Sequence, residues 1–235
     1  KQKKIKEIIP YGKHYIDEKD ISEVVKTLQS ANLTQGPKIE ELEKKICAYV
    51  GSKYAVAVSS ATAGLHLSTL ALGIKKGDKL ITSPITFVST ASIGIYSGAD
   101  PVFSDIDPNT VNLSAEILDK TLNSIRNNKF IIPVHFGGLP CDMKEIKKIG
   151  DKTNSIIIED AAHALGSKYS DGSFVGNCKY SDATVFSLHP VKIIAAGEGG
   201  IITTNSLKTY KKLLRLRSHG IIKEEGSYKS KNSKT

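Results

Sequence analysis

The chain has 235 residues, of which 40% are hydrophobic and 24% charged, as is ordinary for a globular protein whose core needs neither disulfides nor metals. Its apolar runs are too short to span a membrane, so we expect no membrane partner. The three cysteines form neither a CxxC pair nor a disulfide framework, so we expect a reducing compartment and a cytoplasmic location.

The net charge of +9 comes almost entirely from lysine, because only three of the 33 basic residues are arginines. The lysines are scattered, apart from clusters at residues 1–6 and 223–234, and aromatic residues for base stacking are not interleaved with them. This pattern favours a lysine-rich surface with basic tails over nucleic-acid binding, and we expect no nucleic-acid partner. A mild attraction for anionic substrates is a third interpretation.

Two helices are predicted first, over residues 17–29 and 38–50, because apolar residues recur at helical spacing in both. Strands and helices then alternate along the chain. The predicted strands are 54–58, 79–82, 101–104, 130–134, 155–159, 184–187 and 200–204, and the predicted helices are 61–71, 87–96, 114–122, 143–152 and 207–216.

This alternation predicts an α/β fold with three α/β/α layers around a mostly parallel central sheet. We expect residues 10–225 to form this large domain together with its N-terminal helices, residues 1–9 to form a basic tail and residues 226–235 to form a polar tail. In such sheets ligands bind beyond the carboxyl ends of the strands. Polar residues gather after the predicted strand ends, among them Thr86 and Asp160.

A lysine follows one strand end in Ser-Leu-His-Pro-Val-Lys (residues 187–192), ahead of Gly-Glu-Gly-Gly (197–200). An amine nucleophile needs a lowered pKa and restricted access to solvent, and a tight loop at a strand end is a suitable place for it. Lys192 is one of 30 lysines (33 basic residues less three arginines), so its position alone does not identify it as catalytic.

An acid pair ends the apolar strand in Ile-Ile-Ile-Glu-Asp-Ala-Ala-His (residues 156–163). Pyridoxal phosphate needs a carboxylate at its pyridine nitrogen, which keeps the ring protonated so that it can accept electrons. Asp160 is placed to supply this carboxylate, whereas Glu159 should point to the other side of the strand. An N-cap for the following helix is the alternative for Asp160.

Small residues join the first strand of the alternation to its helix in Ser-Ser-Ala-Thr-Ala-Gly (residues 59–64). Free backbone N–H groups and hydroxyls at such a junction can bind a phosphate, although the pattern lacks a known glycine-rich phosphate motif. An ordinary helix start is the alternative. Phe87, at another strand end, either stacks on a flat cofactor ring or belongs to the core.

Three histidines, His135, His163 and His189, also follow predicted strand ends. Zinc takes three or four ligands of this kind, but the sequence has no HExxH motif and no closely spaced histidine pair. We therefore expect no metal.

The order of these motifs resembles the fold-type I pyridoxal-phosphate aminotransferases that act on nucleotide-linked keto sugars, whose large domain is like that of aspartate aminotransferase. The Glu-Asp-Ala-Ala-His and His-Pro-Val-Lys segments carry the resemblance, which runs from about residue 9 to residue 223. It is nearest to the branch that aminates UDP-linked 4-keto-6-deoxy-N-acetyl-altrosamine, with glutamate as the donor, in pseudaminic acid biosynthesis. Substrates of 4-amino-4-deoxy-arabinose or perosamine type are alternatives, as is a non-catalytic cofactor-binding fragment.

The resemblance implies a role for each motif. Lys192 would bind pyridoxal phosphate as a Schiff base and later shuttle a proton, Asp160 would pair with the pyridine nitrogen, and His163 would lie beside the phenolic oxygen. Phe87 would stack on the ring. The other residues expected around the cofactor, most of them at its phosphate, are Ser60, Ala61, Thr62, Ala63, Ser187 and His189.

The resemblance also bears on the substrate and on assembly. Thr34 and Gly36 fall where relatives approach the sugar nucleotide, so they are the expected substrate-binding residues. Relatives continue into a small C-terminal domain, which we expect to be absent from this chain, and into a segment that reaches the partner subunit. We expect a homodimer if that full length is present.

Overall fold

The computed structural model describes residues 12–126 and 129–221, and both predicted tails, 1–9 and 226–235, lie outside these ranges. The predicted order of elements is confirmed, with ends that differ by at most two residues. The helices are α1 (Glu18–Leu28), α2 (Pro37–Val50), α3 (Ala61–Leu72), α4 (Ser89–Tyr96), α5 (Ala115–Asn123), α6 (Met143–Lys152) and α7 (Leu207–Arg217). The strands are β1 (Tyr54–Val58), β2 (Lys79–Thr82), β3 (Asp100–Phe103), β4 (Lys129–Ile132), β5 (Ile156–Asp160), β6 (Ala183–Ser187) and β7 (Gly200–Thr204).

The seven strands form one sheet in the order β1-β7-β6-β5-β4-β2-β3. Strand β7 runs antiparallel to both of its neighbours, and the other neighbouring pairs are parallel, so the prediction of a mostly parallel sheet is confirmed. Gly200, the first residue of β7, pairs with Val58 at the end of β1 and with Ser187 at the end of β6. One edge of the sheet therefore collects the carboxyl ends of the parallel strands and the amino end of β7.

Helices cover both faces of the sheet, which confirms the three-layer architecture. Helices α3, α4 and α7 pack on one face, in a core that contains Phe130 and Ile132 of β4. Helices α2, α5 and α6 pack on the other face, where Ile131 of the same strand is buried. The alternation follows from the strand geometry, which points successive side chains to opposite faces.

Helix α1 begins with a capping box, in which Asp17 and Asp20 each accept a hydrogen bond from the other's backbone N–H. Its apolar side chains lie at the predicted spacing, yet none of its residues is buried. None of the helices in the described part of the chain is both long and apolar enough to cross a membrane. Within residues 12–126 and 129–221, no group of three or more His, Cys, Asp or Glu residues is arranged to hold a metal ion.

Candidate active site

A cavity of about 420 Å³ opens at the edge of the sheet where the parallel strands end. Most of the predicted site residues line this single cavity, although they come from four separate segments of the chain. They are Ser60, Ala61, Thr62, Phe87, Asp160, His163, Ser187, His189 and Lys192. The sheet thus brings together residues up to 132 positions apart (Lys192 less Ser60), as the strand-end rule predicts.

Lys192 and His163 are in direct contact inside the cavity. Lys192 Nζ lies 2.6 Å from His163 Nε2. Burial lowers the pKa of the Lys192 amine, and the nearby Asp160 carboxylate opposes that change only in part. Burial and the neighbouring Lys192 charge lower the pKa of His163 below its ordinary value of 6.5. At neutral pH the imidazole is therefore uncharged, and its Nε2 lone pair accepts a hydrogen bond from the ammonium form of Lys192.

The Asp160 carboxylate ends β5 and is 4% exposed. Its Oδ2 accepts a hydrogen bond from Thr90 Oγ1 at 2.8 Å, and its Oδ1 accepts one from the Ala162 N–H at 3.1 Å. The second bond has the local geometry of a turn, so Asp160 also organises the chain that follows it. Glu159 is buried in the opposite core layer, as the strand alternation predicts.

The turn between β1 and α3 presents the helix N-terminus to the cavity. Ser60 is the N-cap, and its hydroxyl accepts the Ala63 N–H at 3.1 Å. That N–H group is thus engaged within the turn, and Ala63 is not among the residues that line the cavity. The N–H groups of Ala61 and Thr62, at the start of the helix, have no acceptor within α3 and suit a bound phosphate.

Phe87 is 72% exposed and lines the cavity, which rules out the alternative that it is a core residue. It precedes α4, which begins at Ser89 and not at residue 87 as predicted. The three histidines that prompted the metal hypothesis each have another partner: His135 bonds to Glu159, His163 to Lys192, and His189 Nδ1 accepts the Val191 N–H.

The two predicted substrate residues do not line this cavity. Gly36 lines a separate depression between α2 and α7, whose rim includes Arg215 and Arg217. Thr34 is exposed and lines neither concavity. Their roles as substrate-binding residues stay predictions.

Two further residues at the site, Thr90 and Glu198, were not predicted from the sequence. Glu198 lines the cavity. It belongs to the Gly-Glu-Gly-Gly segment that follows Lys192, so its proximity to Lys192 along the chain could have identified it. Thr90 is buried behind Asp160. In the sequence, only its spacing of four residues from Thr86 pointed to a role, since residues four apart lie on the same side of a helix. Which residue the Thr90 hydroxyl contacts depends on which strand α4 faces.

The donor set of the cavity fits pyridoxal phosphate. It has an amine of lowered pKa, a buried carboxylate at a strand end, unpaired N–H groups at a helix start and an exposed aromatic ring. These groups match, in turn, the aldehyde, the pyridine nitrogen, the phosphate and the ring face of that cofactor.

Comparison with known proteins agrees with this match. Spore coat polysaccharide biosynthesis protein SpsC of Bacillus subtilis is 42% identical over 224 residues, which make up 95% of this chain and 56% of SpsC. The chain thus spans about half the length of that relative.

Solved structures have the same architecture. Sugar aminotransferase Spr1654 from Streptococcus pneumoniae, in its apo form, superposes with a TM-score of 0.86 at 33% identity, over 92% of this chain and 58% of that one. It has also been solved in PLP and PMP forms. Helicobacter pylori PseC, an aminotransferase involved in the biosynthesis of pseudoaminic acid, gives a TM-score of 0.84 at 32% identity, over 92% of this chain and 57% of PseC.

The family model that matches the chain covers residues 14–234, almost its whole length. The cofactor carried by such relatives is pyridoxal 5′-phosphate or its amine form, and the cavity has the groups to hold it. The chain therefore belongs to the DegT/DnrJ/EryC1/StrS aminotransferase family, and its cofactor is pyridoxal 5′-phosphate.

Proposed function

We propose that this chain is the cofactor-binding large domain of an enzyme that moves an amino group from glutamate to C4 of a UDP-linked 4-keto-6-deoxy sugar of the N-acetyl-altrosamine type. The observation that carries the proposal is the convergence of Lys192, Asp160 and His163 on one cavity. The sugar class is supported by the likeness to PseC, and a role in surface polysaccharide synthesis by the likeness to SpsC.

When bound, pyridoxal phosphate supplies a carbonyl carbon for amine attachment and an electron-accepting ring. Lys192 is the nucleophile and the proton carrier, because its lowered pKa makes the free amine more available near neutral pH. Asp160 holds a proton at the pyridine nitrogen. His163, uncharged and 2.6 Å from Nζ, accepts a hydrogen bond from Lys192 and orients its amine.

The remaining residues bind and shield. The N–H groups of Ala61 and Thr62, with the hydroxyls of Thr62 and Ser187, hold the phosphate at the start of α3, where the helix dipole favours an anion. Phe87 covers one face of the ring and keeps water from it. His189 completes the wall on the Lys192 side.

A panel of keto-sugar nucleotides tests this proposal. The chain, in its full-length protein, is incubated with pyridoxal phosphate, glutamate and UDP-, TDP- or GDP-linked 4-keto sugars, and 2-oxoglutarate and amino sugar are measured. We expect turnover with the UDP-linked 4-keto-6-deoxy sugar and its near abolition in Lys192→Ala, since general acid–base transfer alone contributes about 10²–10⁴-fold. Full activity of Lys192→Ala would contradict the assignment, and turnover with only another sugar would replace the substrate.

A non-catalytic cofactor-binding protein is the second candidate function, because the groups that line the cavity suit cofactor binding by themselves. The homodimer expected of the aminotransferase stays a prediction. A visible absorbance band that borohydride removes, with label on Lys192 and no 2-oxoglutarate produced, would favour this candidate.

A further inference from the structure

A buried threonine stands directly behind the carboxylate of the cavity. Thr90, the second residue of α4, is fully buried and does not line the cavity. Its hydroxyl donates to Asp160 Oδ2 at 2.8 Å, across 70 residues of chain. A hydroxyl that donates its hydrogen bond to a carboxylate forms a charge-assisted bond, which is shorter and stronger than a hydrogen bond between neutral groups.

A second threonine continues this line of hydroxyls toward the cavity. Thr86 Oγ1 lies 2.8 Å from Thr90 Oγ1, and Thr86 lines the cavity wall. The Thr90 hydroxyl has a single hydrogen, which it uses in the hydrogen bond to Asp160. Thr86 is therefore the donor in the hydrogen bond between the two threonines. The hydrogen bonds therefore run from Thr86 to Thr90 to Asp160, and each polarises the next.

The two oxygens of Asp160 are anchored from different sides. Thr90 holds Oδ2 from α4, and the Ala162 N–H holds Oδ1 from the chain that follows β5. The two bonds together fix the rotation of the carboxylate about its side-chain bonds. A reacting group needs to be held within about 0.5 Å and about 10–20° of its working geometry, and one anchor leaves that rotation free.

We propose that Thr90 is a positioning residue, which together with its hydrogen-bond partner Thr86 holds the Asp160 carboxylate in the orientation that serves the pyridine nitrogen of the cofactor. The inference rests on the proposed role of Asp160. Thr90 does not line the cavity, so its contribution is transmitted through Asp160.

Three variants test the inference: Thr90→Val, which keeps the shape and removes the hydroxyl, Thr90→Ser, which keeps the hydroxyl, and Thr82→Val as the matched control. Thr82 is also a fully buried threonine, but its hydroxyl donates to the Ile132 carbonyl, away from Asp160. The apo-protein is titrated with pyridoxal phosphate by visible absorbance, and the pH profile of the absorbance band is recorded for each variant.

We expect Thr90→Val to weaken cofactor affinity roughly tenfold and to move the pH midpoint of the band, since a hydrogen bond to a charged group is lost. Thr90→Ser and Thr82→Val should stay within about threefold of the parent protein, because one keeps the bond to Asp160 and the other never made it. Thr86→Val, which leaves Thr90 in place, should show a smaller shift in the same direction as Thr90→Val.

Equal affinities and pH profiles for Thr90→Val and Thr82→Val would overturn the positioning role, as would a failure of Thr90→Ser to restore the profile. Asp160→Asn separates this inference from the role on which it rests. If Asp160→Asn itself leaves affinity and profile unchanged, the role of Asp160 fails. If Asp160→Asn is impaired and Thr90→Val is not, only the inference about Thr90 fails.

Discussion

Lys192 differs from the other lysines of the chain in its surroundings. Its amine is partly buried against His163, whereas most lysines of the described residues extend from the surface. Lys179 is the opposite case, because its ammonium lies 2.6 Å from Asp171 and that hydrogen bond raises its pKa. Two lysines of one protein thus have pKa values displaced in opposite directions, for reasons visible in their contacts.

This contrast gives a prediction about pH. A lowered pKa means that the reactive free amine appears at lower pH, so Lys192 should be acetylated at lower pH than Lys179. Competitive labelling of the apo-protein with acetic anhydride across a pH series, read by mass spectrometry of the two peptides, measures both profiles at once. Coincident profiles would show that burial does not set the chemistry of Lys192.

At the scale of elements, the start of β7 is pressed against the start of α3. A Cβ atom added at Gly200 would lie 2.5 Å from the Ser60 carbonyl carbon and 2.6 Å from the Ala61 nitrogen. Both are backbone atoms, so no side chain can rotate to relieve the contact. The antiparallel direction of β7 causes this approach, because it brings an amino end to the edge where β1 ends. The absence of a side chain at Gly200 therefore allows the turn between β1 and α3 to lie where it does, facing the cavity.

Gly200→Ala should displace that turn and weaken the binding of pyridoxal phosphate. The overpacking should destabilise the fold by about 1–3 kcal/mol. The matched control is Gly199→Ala, for which the three atoms nearest the added methyl all belong to the Leu188 side chain, at 3.2–3.6 Å. Titration of both apo-proteins with the cofactor should show the larger loss of affinity in Gly200→Ala. A loss of equal size in both variants would contradict the role given to the turn.

At the scale of the whole molecule, a buried carboxylate joins several segments beneath the site. Glu159 accepts hydrogen bonds from His135 Nε2, the Tyr169 hydroxyl, and the hydroxyls of Ser181 and Thr184. These four donors come from the loop after β4, from the chain between β5 and β6, and from β6. His135 Nδ1 accepts the Cys141 N–H, which leaves Nε2–H as the ring donor to Glu159.

Glu159→Gln should destabilise the fold by roughly 2–5 kcal/mol, because the amide replaces an acceptor with a donor and leaves buried donors unpaired. Burial alone would raise the pKa of Glu159, but the bond from His135 and those from Ser181 and Tyr169 outweigh it and lower that pKa. The stabilisation is therefore present above the ordinary value of 4.5 and is lost as pH falls through the lowered value.

Urea unfolding of the parent protein and of Glu159→Gln between pH 3 and 7 measures both effects. The control is Glu116→Gln, which removes an exposed pair with Lys120 and should leave the urea midpoint almost unchanged. The difference between the parent and Glu159→Gln should shrink toward acid pH. A difference that grows on acidification would show that the carboxylate is not charged in the folded protein.

The sequence by itself determined the elements and the edge where the chemistry lies. Periodicity located each helix and strand to within a few residues, because apolar spacing follows from the geometry of a helix or a strand. The rule for parallel sheets then placed Lys192, Asp160 and Thr62 at one edge, and the family motifs named the cofactor. Each of these steps depends on local pattern or on motif order, which a linear sequence records.

Only the tertiary structure decided the contacts between distant segments. The antiparallel pairing of β7 with β1, the bond from Thr90 to Asp160 and the contact of Lys192 with His163 join residues that are 29 to 150 positions apart (Thr204 less Tyr54 gives the largest separation). Nothing in the spacing of a hydroxyl along α4 shows which strand it faces, and no local pattern separates a parallel strand from an antiparallel one when both are fully buried. Such contacts are set by how the helices and strands pack together, because a hydrogen bond depends on position in space and not on separation along the chain.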